Sequence, residues 1–240
     1  MRAKKITLFI LLTAVFLVLI FKQLTDPDYV YICGTFYKTD RSELDLDCDF
    51  KSSSDFRDLK FFPSLNCLSI SRLRSDKEIL LPDMNDLEYI RFNNCDIKDT
   101  AFFNSLTGVK EIHILETKIN ISDHLNNSIN SMEFIFCDIN NFDKISTCSN
   151  VEKLSVYGCE FTGTNKTGTF DHEMQDSSVF SDFDNVKVLE IYATKINDIS
   201  GFSDMQSLKE IHLRADDITD EQVTELENAG IKVYLHEPKY

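Results

Sequence analysis

Apolar residues recur along this chain at fixed offsets. The segment Leu87-x-x-Ile90-x-Phe92-x-x-Cys95-x-Ile97 sets the pattern. The same spacing returns as Val109, Ile112, Ile114, Thr117 and Ile119, then as Ile129, Met132, Phe134, Cys137 and Ile139. It continues as Val151, Leu154, Val156, Cys159 and Phe161, as Val186, Leu189, Ile191, Thr194 and Ile196, and as Leu208, Ile211, Leu213, Asp216 and Ile218. An earlier copy is Leu65, Leu68, Ile70 and Leu73. Counting the first apolar residue as offset zero, the offset-eight residues Leu73, Cys95, Thr117, Cys137, Cys159, Thr194 and Asp216 are separated by 22, 22, 20, 22, 35 and 22 residues. Alternation at offsets three to five predicts a short strand with one face inward. Stacked in parallel, such strands bury a continuous apolar column, which no single repeat achieves alone. The second half of each repeat returns the chain on the other side, where Phe103 and Leu106, or Phe202 and Met205, are expected to pack inward.

Caps are required at both ends of such an array. Residues 25–49 read as the N-terminal cap, with Leu44-x-Leu46 as a degenerate first strand, and 50–240 as the repeat domain. Asp220 to Asn228 predicts a short helix ended by Gly230, and 231–235 a final strand, so that 220–240 form the C-terminal cap. The separation of 35 implies an insertion of 13 residues over the 22-residue repeat, near 162–178, where a polar stretch predicts a loop. Residues 6–21 are uncharged, with Thr7 and Thr13 the only polar positions, and lie between Arg2, Lys4, Lys5 and Lys22. The run is just short of the roughly 20 residues of a spanning helix, and the flanking lysines can snorkel to the interface. No small-residue cleavage site follows it. The expectation is an uncleaved signal-anchor, with 1–24 holding a cytoplasmic stub and the transmembrane helix, and the remainder outside. Cleavage would instead release a secreted protein.

The repeat resembles that of the leucine-rich-repeat family over residues 42–235. The 22-residue period and the tails Ile97-Lys98-Asp99, Ile196-Asn197-Asp198-Ile199 and Ile218-Thr219-Asp220 are similar to the internalin-like class. The resemblance implies an α/β leucine-rich-repeat solenoid, curved, with a parallel β-sheet on its concave face, here preceded by one transmembrane helix. It also implies a bacterial surface protein. It names no partner, because leucine-rich repeats serve adhesion, immunity, signalling and inhibition alike. The family places Asn or Cys at offset eight, pointing inward to satisfy loop backbone groups. This chain uses Cys, Thr or Asp there and never Asn.

Composition narrows the reading further. A hydrophobic content of 42% excludes wholesale disorder, and only 7 Gly and 4 Pro argue against a hairpin-rich sandwich. The net charge is −15. Setting aside the four basic residues around 6–21 leaves 21 basic against 40 acidic side chains, a formal −19. Such a body disfavours nucleic acid and anionic lipid. Of seven cysteines, Cys95, Cys137 and Cys159 read as inert core thiols. Cys137 and Cys159 stand on adjacent rungs, but parallel stacked side chains rarely offer the dihedral a disulfide needs. Cys33 and Cys48 flank the N-terminal cap, where an oxidising exterior would favour a bridge. The absence of CxxC argues against zinc.

Asp171-His172-Glu173 in the insertion is the one cluster that could seat a metal-dependent enzyme, but three neighbours on an extended loop do not readily face one ion. His113 and His212 sit four strands apart and are expected not to meet. Neither a nucleophile elbow, HExxH nor a phosphate loop is present, so no catalysis and no cofactor are expected. Asn120, Asn126 and Asn165 match the glycosylation sequon.

Offsets four, six and seven face away from the core on the sheet side. Offset six reads Ser71, Asn93, Leu115, Ile135, Tyr157, Tyr192, Arg214 and Tyr234, and offset seven adds Phe136 and Gly158. The middle rungs therefore expose Leu115, Ile135, Phe136, Tyr157 and Tyr192 together. Glu111, Glu116, Glu133 and Glu190 rim them, with Arg91 and Arg214 towards the ends. An apolar, aromatic centre inside a charged rim is the anatomy of a protein-binding site. The expected ligand-binding residues are Leu115, Ile135, Phe136, Tyr157, Tyr192 and Arg214, and the expected partner is a protein or peptide. The rival expectation is a structural or adhesive envelope element with no discrete ligand. The oligomeric state stays open.

Overall fold

The computed structural model describes residues 13, 26, 28–48, 56–75, 79–122, 125, 128–162, 173–174, 177–192 and 195–237. The expected membrane segment 6–21, most of the insertion with Asp171 and His172, the sequon residues Asn126 and Asn165, and Thr194 fall outside them. Among the described residues no helix is long and apolar enough to cross a membrane.

The chain opens with an antiparallel hairpin, β1 (Tyr29–Ile32) and β2 (Thr35–Lys38). Each repeat then contributes one five-residue strand to a main sheet: β3 (Glu43–Asp47), β4 (Cys67–Ser71), β6 (Tyr89–Asn93), β8 (Glu111–Leu115), β10 (Ser131–Ile135), β12 (Lys153–Tyr157), β15 (Val188–Tyr192), β17 (Glu210–Arg214) and β18 (Lys232–His236). These nine strands pair in parallel in chain order. A shorter strand follows most of them: β5 (Arg74–Ser75), β7 (Asp96–Ile97), β9 (Lys118–Asn120), β11 (Asp138–Asn140) and β13 (Glu160–Thr162) build a second parallel sheet. The last short pair is β14 (Glu173–Met174) with β16 (Lys195–Ile196). This is a leucine-rich-repeat solenoid with parallel sheets, as the sequence pattern predicts.

The alternation sets the core. In every main-sheet strand from β3 to β17 the second and fourth residues, such as Ile90 and Phe92 or Leu154 and Val156, are 2% exposed or less. Register is rung on rung, with Ile112 opposite Met132 and Met132 opposite Leu154. A slip of one residue would turn every apolar side chain outward. On the return side, 3-10 turns at Ala101–Ser105, Phe142–Thr147 and Ser177–Phe180 press aromatic rings into the same core. Phe103, Leu106, Phe202 and Met205 are buried there, as expected. Phe142 lies at the centre of a ring cluster, with centroids of Phe161 at 4.1 Å, Phe183 at 5.3 Å and Phe180 at 5.7 Å.

Offset eight forms a polar ladder inside this apolar column. The Thr117 hydroxyl donates to the Leu115 carbonyl at 2.6 Å and accepts from the Cys95 N–H at 3.0 Å. The Cys137 thiol donates to Ile114 and Ile135 carbonyls at 3.1 and 3.3 Å, and its N–H donates to the Cys159 sulfur at 3.4 Å. A hydroxyl or thiol both donates and accepts, so either serves where the family has Asn. Asp216 departs from the expected inward position. It is exposed and pairs with Arg214 at 2.8 Å. Burying a carboxylate is far costlier than burying a hydroxyl or thiol, and at the surface Asp216 keeps both its hydration and its Arg214 partner.

The C-terminal cap also corrects a register. The helix Asp220–Asn228 starts at a capping box, Thr219 with Gln222, and ends before Gly230 at φ 87. Ile231, expected to begin the inward alternation, packs behind that helix at 4% exposure, its N–H donating to the Leu226 carbonyl at 3.0 Å. The alternation therefore starts two residues later. Val233 pairs with Ile211, Tyr234 with His212 and His236 with Arg214. Tyr234 sits at offset four rather than six, and His236 takes the offset-six place. The insertion, read as loop, regains repeat structure at its end. Ser177 is fully buried and its hydroxyl accepts the Gly201 N–H at 2.8 Å.

Removing the central ring should be severe. Phe142→Ala is expected to cost about 3–5 kcal/mol, read as a lowered denaturant midpoint, whereas Phe142→Leu should cost distinctly less.

Candidate binding face

The outward positions of the main sheet form two columns. Offset four carries Arg91, His113, Glu133, Ser155, Glu190, His212 and Tyr234, and offset six carries Asn93, Leu115, Ile135, Tyr157, Tyr192, Arg214 and His236. Leu115 and Ile135 are direct register partners, as are Ile135 and Tyr157, and Tyr157 and Tyr192. All four are half-buried.

Rings then continue the row in both directions. Phe136 meets Tyr157 edge-on, with centroids 5.2 Å apart at 86°. Tyr157 and Tyr192 lie 5.8 Å apart, and Tyr192 meets His236 at 5.6 Å. His236 contacts His212 through ring nitrogens 3.0 Å apart, and His212 stacks on Tyr234 with centroids at 4.5 Å. His113, four rungs away from His212, instead meets the Glu133 carboxylate at 2.6 Å and the Tyr89 ring at 4.8 Å.

Phe136 stands out energetically. It has φ 52, in the left-handed region, and is 56% exposed. The same turn is left-handed at Arg72, Asn94, Glu116 and Gly158. A bulky residue pays about 1–3 kcal/mol for such a backbone. Gly158, on the next rung, makes room for the ring, since a Cβ there would lie 2.7 Å from a Phe136 ring carbon.

A slot of about 290 Å³ opens beside the tyrosines, between Ile135, Tyr157, Tyr192, Arg214 and His236, with Glu133, Ser155, Glu190 and Glu237 also lining it. It lies where the described pairing of β15 with β17 ends, at Glu190 opposite His212. Its size is near the floor for small-molecule pockets and suits one large side chain. Four of the six sequence-expected residues line it: Ile135, Tyr157, Tyr192 and Arg214. Leu115 and Phe136 stand on the same face outside it. His236 was hidden from sequence reasoning by the shifted register. Ser155 gave no signal, being small and polar.

The slot's charges are held by local partners. Burial works against the Glu190 carboxylate, but the Ser155 hydroxyl at 2.7 Å and the Lys153 ammonium at 2.9 Å outweigh it and keep its pKa below the usual range. Burial raises the Tyr192 phenol, and Glu190 adds to this. Burial also lowers His212, against the pull of Glu190 and Glu210. Among the described residues no three His, Cys, Asp or Glu converge as metal ligands.

No family model matches this sequence, and neither does any curated protein. Solved structures do. Internalin C2 of Listeria monocytogenes has a TM-score of 0.50 at 16% identity, over 81% of this chain and 80% of that one. An internalin InlF of the same species has a TM-score of 0.49 at 16% identity, over 84% of this chain; the match spans 62% of InlF. At this identity the likeness to internalin C2 concerns the fold alone.

Two outcomes follow from the geometry. Gly158→Ala should cost about 1 kcal/mol through its left-handed backbone and displace the Phe136 ring, read by denaturation and by the ring's NMR shifts. His212 favours its neutral form in the fold. That contribution is complete above its unfolded pKa of about 6.5 and is lost as pH falls below it. Thermal stability should therefore drop between about pH 7 and pH 5.5, less so in His212→Asn.

Proposed function

We propose that this protein is anchored in a membrane by residues 6–21, presents its repeat domain on the extracytoplasmic side, and holds a protein or peptide ligand on the outer face of the main sheet. The observation that carries the binding reading is the ring row through Phe136, Tyr157, Tyr192 and His236, beside a slot of side-chain size. Strand propensity accounts for tyrosines on a sheet. It does not account for a Phe, 56% exposed, at the left-handed turn that earlier rungs fill with Arg72, Asn94 and Glu116. Tyrosine anchors in a pocket with a polar rim are where interface energy concentrates. The anchor reading is supported by an uncharged run between basic flanks, and the outward orientation by the four cations on its N-terminal and C-terminal sides being weighted three to one towards the start. The role is binding, and no catalytic step is assigned.

The test compares the full-length chain, solubilised in detergent and immobilised, with Tyr157→Ser/Tyr192→Ser. A specific protein retained by the first should be lost by the second, with affinity weaker by roughly 100-fold or more. Equal retention would remove the sheet face from consideration, and no specific retention would favour a structural role. For topology, protease added to intact expressing cells should digest the repeat domain and spare the N-terminal stub. Complete protection of the domain would reverse the orientation.

A further inference from the structure

Two cysteines meet outside the offset-eight ladder. Cys33 occupies the tip of the β1–β2 hairpin at φ 49, followed by Gly34 at φ 87, so the two-residue turn is left-handed throughout. Cys48 directly follows β3, is 1% exposed, and donates its N–H to the Ser71 carbonyl at 2.9 Å. The two are 15 residues apart, and their sulfurs are in contact at 2.8 Å. Their surroundings differ in access: Cys33 is half-buried and Cys48 is within the core. The other sulfurs are placed elsewhere, with Cys95, Cys137 and Cys159 donating to strand carbonyls and Cys148 buried on the return side.

The hairpin needs a fastening. Among the described residues its strands pair only with each other, not with β3. It is held to the end rung by packing, through Ile32 with Val30 and Tyr37 partly buried. β3 is the terminal strand of the main sheet, so this hairpin is what covers the end of the core.

We propose that Cys33 and Cys48 form a disulfide that staples the N-terminal hairpin to the first rung of the solenoid. The oxidant class is a small-molecule disulfide such as glutathione disulfide. The Cys33 thiolate attacks one of its sulfurs, forming a mixed disulfide and expelling one glutathione thiolate. Cys48 then gives up its proton and attacks the Cys33 sulfur, expelling the second. One S–S bond replaces two S–H bonds, and two electrons and two protons pass to glutathione. Contact with Cys33 and then burial hold the Cys48 thiol far above its ordinary range, which makes Cys33 the leading nucleophile. Closing this loop constrains the unfolded chain and stabilises the cap. The inference is independent of what the sheet face binds.

The full-length chain is incubated with glutathione disulfide, denatured, alkylated and digested. Two fewer cysteines than the seven of the chain should take label, the intact mass should fall by about 2 Da before alkylation, and a Cys33–Cys48 linked peptide pair should be released by reductant. In Cys33→Ser no such pair should appear, and Cys48 should label. Reductant should lower the thermal midpoint of the wild type by on the order of 5 °C and leave Cys33→Ser unmoved. Seven labelled cysteines after oxidation, a link between any other pair, or glutathione retained on Cys33 would overturn the assignment. A linked pair with no change in midpoint would overturn the stapling role.

Discussion

Everything in this molecule depends on one constraint: a single repeat offers two inward side chains per strand and cannot shield them alone. Only a neighbour in the same register completes the burial. Ile112, Met132 and Leu154 are dry because they stack on one another, rung by rung. The same constraint explains why the chain needs closing at both ends, with a hairpin at one and a capped helix with a final strand at the other. It also explains the polar ladder. The chain turns left-handed at offset seven at Arg72, Asn94, Glu116, Phe136 and Gly158, and the bend leaves backbone groups inside the core that Cys or Thr satisfies.

The face turned away from the core is free of that constraint, and its residues vary most. Where the inward positions are uniformly apolar, the outward ones pass from Ser and Asn on early rungs to a run of rings on later ones. Carboxylates on this face have local partners, Glu133 in His113 and Glu190 in Lys153 and Ser155. The matching keeps carboxylates beside aromatic surface without leaving them unsolvated, a combination suited to a rim around an apolar centre.

How much was legible in the sequence follows from these two regimes. The solenoid was legible because burial imposes the same alternation on each repeat, and the column Leu115, Ile135, Tyr157, Tyr192 followed by counting along it. Counting failed where a competing structure took over. At the C-terminal end the capping helix claims Ile231, so the strand register moves by two and brings in His236 instead of Tyr234. At Asp216 the chain turns out to meet Arg214 rather than join the ladder. Cys33 and Cys48 were legible as a pair flanking the cap, but the hairpin that brings their sulfurs together was not, since β1 and β2 lie outside the repeat.

The offset-six column also carries a metric. Adjacent rungs are spaced by about 4.8 Å, whereas same-face side chains of an extended peptide recur about every 6.8 Å. A strand laid across the rungs falls out of step after one contact. An α-helix advances about 5.4 Å per turn and drifts by only about 0.6 Å per rung. The column Ile135, Tyr157, Tyr192 and Arg214 crosses four strands, β10, β12, β15 and β17 in sheet order. On the proposed binding face, that pitch would suit one face of a helix more closely than a fully extended strand.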